Sequence, residues 1–474
     1  SQQAGRIRDA TSGSMTALRN SLQFHEHPAV LRWWCRAFGR ALVWLTPPSR
    51  RRLLLALAAA GVGIVTTIAS MDKYPALALP RQGGGLVLVV VAQFALLALV
   101  YGAAAGFARL PTPVRRHPQW ALHAIYWLML AALWCTTPAQ GGWRSLLLGV
   151  AVLFPLLLWR LAYLVLAGQH GRVAGTPWRD HLIYLWPAWG GTDTPYGKGL
   201  AYLSQCEAKT TQALAASQLA GIRLLLLAVL WRLVLTAFNA VVHGDANWLA
   251  RGLGGWTAGI PELQDLLQPG FAAPRLSAWI SIYANLITDV LRLAVKGHLI
   301  IGFLRLYGFN VFRNTYKPLL AESIVEFWNR YYYYFKELLV TFFFMPTFTG
   351  PAKRLRHWPR LRLLAAVFAA AFVGNVYYHV IKESEALAQG QLSQVLEVQG
   401  PRMFYCFLLA LGIFVSMLRE QRRRGGAPQA GGMLRVRRIA GVWTFFSLIS
   451  IWNTGGGASF EARFRFFLGL WGLG

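Results

Sequence analysis

The sequence predicts an all-helical (all-α), polytopic integral membrane protein, and three observations carry that expectation. Charged residues make up only 14% of the chain and hydrophobic residues 55%, against roughly 25% charged in an average soluble domain. The apolar residues gather into runs of about 17–25, the length a helix needs to cross roughly 30 Å of hydrocarbon. Most of the basic residues fall between those runs.

The clearest spans lie at 53–71 and 86–107. Less uniform candidates follow at 120–136, 143–167, 220–242, 277–304, 361–381, 402–418 and 439–453, with shorter or more polar pieces at 323–346 and 462–473. Together they suggest roughly ten or eleven membrane helices. The 47 Lys and Arg against 18 Asp and Glu leave a formal charge of +29, which on a soluble chain would point to nucleic acid. Here the positive-inside rule accounts for it, and no nucleic-acid partner is expected. The basic segments 50–52, 109–117, 353–362 and 419–424 with 435–438 are expected in the cytoplasm, and the neutral or acidic connections 136–142 and 383–400 outside.

Two parts follow: a cytoplasmic amphipathic segment, 1–50, and a membrane domain, 51–474. Within the first, Arg32, Arg36 and Arg40 alternate with Trp33, Trp34, Phe38 and Trp44 at helical spacing, which fits a helix in the membrane interface or one docked against the rest of the chain. No cleavable signal peptide is expected, the first span itself directing insertion. Cys35, Cys135, Cys206 and Cys406 form no pair or ligand spacing and read as packing residues. The polar stretch 186–199, rich in Gly and Pro, is either a re-entrant loop lining a cavity or an ordinary connection. A second polar interruption covers 242–277.

Residues with chemical potential concentrate at 297–346. Ser323 is placed as a helix N-cap, and Glu326 and Arg330 stand four residues apart as an ion-pair couple. On a continuous helix Trp328, Tyr332 and Lys336 share one face, and Asn329, Tyr333 and Glu337 its neighbour. Ionisable groups inside a membrane must face protein or water. Such faces would line a substrate tunnel or form a polar seam between helices.

Gly302, Arg305, Gly308-Phe309, Asn314, Pro318, Ser323, Glu326-Phe327-Trp328, Arg330 and Pro346 together give this block its resemblance to the membrane-bound O-acyltransferase family. It is most similar to the bacterial branch with alginate O-acetyltransferases and teichoic-acid D-alanyl transferases. The resemblance implies helices around a central tunnel in the bacterial cytoplasmic (inner) membrane. It also implies acyl-CoA or another acyl thioester as donor, and a hydroxyl-bearing acceptor, polysaccharide or lipid-linked, on the outer side. Membrane lipid and membrane or periplasmic proteins are the further partners expected, with no bound cofactor and no metal.

In that family a histidine stands two positions after the arginine, where this chain has Tyr332, and a later membrane histidine is regarded as catalytic. His379, flanked by Gly374, Asn375, Tyr377 and Tyr378, is its counterpart, without the family's Trp-His-Gly context. A neutral imidazole is suited to take a hydroxyl proton near pH 7. His379 is therefore the expected general base, with Asn375 to orient it and Tyr332 to hold the carbonyl or the acceptor hydroxyl. Glu326, Trp328, Asn329, Arg330 and Lys336 are the expected substrate-binding residues. Tyr332, and Val340-Thr341 where relatives carry Arg-Asp, leave a second expectation open, a non-catalytic relative acting as an assembly subunit. His123, His170, His181, His243, His298 and His357 are expected at helix ends and interfaces, and His25 and His27 around Glu26 fix no metal geometry. No phosphate-binding loop, HExxH or GxSxG motif is present.

Overall fold

The apolar runs fold as helices in a computed structural model that describes residues 23–72, 74–78, 84–136, 142–185, 194, 198–252, 256–271, 273–423, 432–455 and 457–473. About 80% of the structure is helical, with no strand among the described residues. Among the described residues six helices are long and apolar enough to cross a membrane: Pro48–Ala69, Gly85–Ala105, Gly142–Gln169, Thr211–Val242, Pro359–Lys382 and Leu392–Arg422. Their outward faces carry Leu57, Val65, Val87, Leu99 and Val229, each more than half exposed. Bare apolar surface on that scale is stable only against lipid or protein.

Three other expected spans are also helical, Pro118–Cys135, Arg275–Leu306 and Gly432–Ser450. They are shorter or less uniformly apolar, the second carrying Asn285, Asp289, Arg292 and Lys296 and the third Arg435, Arg437 and Arg438. The segment 323–346 is not one helix. It is divided into Ile324–Tyr331, Tyr333–Leu339 and a π-helical Val340–Phe344. The stretch 186–199 lies largely outside the described residues, as do residues 1–22 of the N-terminal segment.

Gly142–Gln169 is the central helix, buried on nearly all sides from Leu148 to Val165. Gly85–Ala105 and Pro118–Cys135 pack against it, Pro48–Ala69 packs on the segment Trp178–Leu185, and Trp159 reaches the second half of the chain at Phe342 and Tyr378. Thr211–Val242 and Arg275–Leu306 pair along their length. Gly302 explains how closely: a Cβ there would lie 2.9 Å from Leu225 Cδ2 and 3.1 Å from the Gly221 carbonyl oxygen. Small residues let helix backbones approach in this way.

The basic segments expected on one side gather at one end of the bundle. Arg52 pairs with Asp180 and Glu207, Gln169 donates to the Arg115 carbonyl, and Pro351 borders the same hollow as Pro113 and His117. The 206–208 turn bonds to Gly308 and Asn310. From there the chain runs to Glu322, which pairs with Arg435 and Arg438. At the opposite end Trp134, on the last turn of its helix, donates to Leu387 in the 383–400 connection. The N-terminal helix Pro28–Ala37 docks on Thr211–Val242 through a Trp34–Gln218 hydrogen bond of 2.9 Å. Its other side leaves Trp33 and Phe38 exposed.

Candidate functional site

The helix that carries His379 does not run regularly. Residues Ala369–Gly374 form a π-helical turn before Asn375–Lys382, and it packs against the second π-helical turn, Val340–Phe344. Gly374 is where they touch, since a Cβ there would come within 2.6 Å of the Phe343 ring. Such insertions rotate everything beyond them on the helix and concentrate at functional sites. Here the rotated residues are Asn375, Tyr377, Tyr378 and His379.

Each of these finds a different neighbour. Tyr377 Oη lies 2.8 Å from His123 Nδ1 and accepts from Trp127 Nε1 at 3.1 Å. Tyr378 Oη lies 2.8 Å from Thr194 Oγ1. Asn375 is buried, and its Oδ1 has no partner among the described residues. His379 Nδ1 lies 3.5 Å from Arg402 Nη1 on the helix Leu392–Arg423. The contact orienting His379 is therefore made by Arg402, and no hydrogen bond joins it to Asn375 among the described residues.

A guanidinium only donates, so a ring that accepts from Arg402 at Nδ1 carries its proton on Nε2. Arg402 is held in turn by Asn453 Oδ1 at 3.1 Å and Gln399 Oε1 at 3.0 Å, and Gln399 donates to Glu383 at 2.9 Å. Asn453 also lines a polar cavity of about 190 Å³ with His243, Asn285, Thr288, Asp289 and Arg292. Inside it Asn285 Nδ2 reaches Asp289 at 3.4 Å and Thr454 at 3.5 Å. Arg402 and Asn453 thus link His379 to this cavity.

Phe335 joins the remaining aromatic groups, with ring centroids 6.4 Å from His379, 5.4 Å from Tyr332, 6.1 Å from Trp328 and 4.7 Å from Tyr378. His379, Tyr332 and Trp328 consequently lie around one ring. Glu326, Asn329 and Arg330 do not join them. Glu326 and Asn329 border a separate cavity of about 440 Å³ with Glu322, Ser323, Glu420 and Arg438. Lys336 belongs to a third group, with Glu337 and Lys198.

The separation has a local cause. Tyr332 takes φ −136° and ψ 74°, which ends one helix and starts another, so the helical faces expected to run through it are not continuous. Asn314 imposes the break: its carbonyl accepts from Tyr333 N at 3.0 Å and its side chain from Tyr334 N at 3.3 Å. Tyr316 N donates to the Arg330 carbonyl at 2.8 Å. Ser323 is the expected N-cap, accepting from Glu326 N at 3.1 Å, and Glu326 meets Arg330 at 2.5 Å.

Three of the histidines expected at interfaces are internal instead. His181 and His298 are buried and bonded to Thr176 and the Ala294 carbonyl, and His123 bonds to Tyr377. Arg402, Asn453 and Asp289 were absent from the expected site. The readable signal for two of them was an ionisable residue within or at the edge of an apolar span. The four cysteines are free, and no cluster of potential metal ligands occurs among the described residues. No protein-family model and no curated protein matches the chain.

Proposed function

We propose that the chain is a membrane O-acyltransferase of the bacterial inner membrane, moving an acyl group from a cytoplasmic thioester to a hydroxyl on an exported or outward-facing acceptor. The observation that carries this reading is the connection of a membrane-helix histidine, through Arg402 and Asn453, to a polar cavity. The resemblance of residues 297–346 to the O-acyltransferase family supports it. In this reading roughly ten or eleven helices surround a tunnel leading from the basic end of the bundle to His379.

In the transfer, the hydroxyl oxygen bonds to the acyl carbon, the carbon–sulfur bond breaks, and the hydroxyl proton ends on the departing thiol. With Nε2–H presented, His379 would donate to the carbonyl oxygen as negative charge develops there. Taking the hydroxyl proton at Nε2 requires the opposite tautomer, with Arg402 turned away from Nδ1. Tyr332, beside the same Phe335 ring, would help hold the acyl carbonyl or the acceptor hydroxyl.

One observation favours the non-catalytic alternative: Glu326 and Asn329 border a cavity apart from His379, and Arg330 pairs with Glu326. The test is transfer of a radiolabelled acetyl group from acetyl-CoA to an oligosaccharide by purified protein in nanodiscs, repeated with longer acyl-CoAs and lipid-linked glycans. Turnover that depends on His379 supports the enzyme. Folded protein inactive across that panel, but copurifying stoichiometrically with other membrane proteins, supports the assembly subunit.

A further inference from the structure

A second site lies where the N-terminal segment meets the bundle. His25 Nε2 sits 3.3 Å from Arg223 Nη1 and 3.3 Å from Glu26 Oε1. Arg305 packs beside Gly221 on the adjoining helix and donates to the Val311 carbonyl at 2.9 Å. Arg313, stacked over Tyr316 at 5.7 Å, is near enough to act on both His25 and Arg223.

The charges here do not balance. Three guanidiniums converge, and the one carboxylate beside them, Glu26, has a side chain 64% exposed. Among the described residues none of the three arginines forms an ion pair with a carboxylate. Two neighbouring groups, Arg223 Nε and His25 Nδ1, are buried without a hydrogen-bond partner among the described residues. Burial, then Arg223, holds His25 below its ordinary pKa. A buried guanidinium N–H without an acceptor, amid excess positive charge, calls for an anionic group, because a buried donor left unmet is costly.

We propose that Arg223, Arg305 and Arg313, covered by His25, bind a phosphate-bearing group. Phosphate oxygens suit guanidinium forks, which bind them in pairs. The group can be the headgroup of an anionic phospholipid or a soluble phosphate. The surroundings bear on the first source, because the adjoining helices expose Trp33, Phe38 and Trp44 together with Arg32, Arg36 and Arg40. Aromatic rings beside basic side chains are the pattern of an interface with anionic lipid.

The test measures the Tm of purified protein in neutral detergent with added phosphatidylglycerol, phosphatidylcholine or inorganic phosphate, and counts retained lipids by native mass spectrometry. Phosphatidylglycerol should raise the wild-type Tm by about 2–4 °C and phosphatidylcholine should not. The rise should be lost in Arg223→Gln and Arg313→Gln, and kept in Arg223→Lys and in Arg360→Gln, whose arginine is exposed elsewhere. An equal rise with inorganic phosphate identifies a soluble phosphate as the occupant. Wild type unmoved by either anion, or a rise undiminished in Arg223→Gln, overturns the site, and this first arm holds even if a variant fails to fold. A rise lost equally in Arg360→Gln reduces the effect to general charge and overturns it too.

Discussion

Two groups of polar residues inside this bundle follow opposite rules. Around Arg51 cations face carboxylates: its guanidinium donates to the carbonyls of Leu45, Thr46 and Ala208 and faces Glu207 at 3.8 Å, while its Nε and Glu207 Oε1 have no hydrogen-bond partner among the described residues. Arg52 meets Asp180 at 3.4 Å and Glu207 at 3.7 Å. Burial pushes the Glu207 carboxyl above its ordinary pKa, and Arg52 and Arg51 draw it back. Around Arg402 the partners are neutral amides and an imidazole, and no carboxylate pairs with it among the described residues. Charges that answer one another hold helices together. A cation given only neutral partners, next to a cavity, keeps field to spare for something that enters.

The comparison breaks first at Arg51. Arg51→Ala should leave Glu207 poorly answered and three carbonyls without a donor, a loss of about 3–5 kcal/mol. The expected result is little folded protein, seen by size-exclusion chromatography, from any membrane preparation. A variant that purifies in wild-type yield with unchanged Tm would show that this cluster is not what secures the N-terminal helices to the bundle.

His379→Ala should do the reverse, leaving yield and Tm near wild type and lowering acyl transfer roughly 10²–10⁴-fold. Tyr332→Phe should keep a measurable fraction, because in the proposed reaction a phenol at that place would position a substrate without itself reacting. Undiminished transfer in His379→Ala would remove the residue from the mechanism.

How far the sequence revealed these regions depended on whether a signal was local. The six long spans were legible because apolar length is read along the chain without reference to anything distant. Ser323 and the Glu326–Arg330 pair were legible for the same reason, cap and partner lying within one turn or so. The break at Tyr332 was not: Tyr331–Tyr334 contains no Gly or Pro, and the hydrogen bonds that stop the helix come from Asn314, a loop residue well upstream. Nor could composition announce the π-helical turns at Val340–Phe344 and Ala369–Gly374, which arise where two helices press together at Gly374 and Phe343. His379 could be singled out as a histidine in an apolar helix, whereas Arg402 becomes its partner only after a connection and another helix bring it back. Several residues behind the family resemblance have structural duties that the sequence did not separate from chemistry: Gly302 in helix contact, Arg305 on the Val311 carbonyl, Asn314 at the break.

Arg402→Gln sharpens the comparison at intermediate cost. If the guanidinium sets the tautomer of His379, its loss should lower kcat by about 10²-fold at most, as for a misplaced group, with the pH profile of kcat changed and folding retained. Arg402→Lys, which restores a donor without the fork that holds Asn453 and Gln399 together, should recover part of the activity. A kcat that rises in Arg402→Gln would mean that the arginine restrains a general base, placing His379 in the proton-accepting role.

The smallest effect belongs to Glu326 and Arg330, the pair most visible in the sequence. Their side chains are 34% and 31% exposed, and Glu326 borders an open cavity, so water answers much of the charge left when one partner is removed. Their coupling should be about 0.3–0.5 kcal/mol, the size of an exposed pair on one helix face. A double-mutant cycle of Glu326→Gln and Arg330→Gln, read from denaturant unfolding in mixed micelles, measures it. Near-additive losses within that range would place the pair with surface contacts and leave Arg51 as the cluster on which folding depends. A coupling of several kcal/mol would mean that the pair is closed off from water when the protein is assembled, and would move it from the exposed cavity to the class of paired, structural charges.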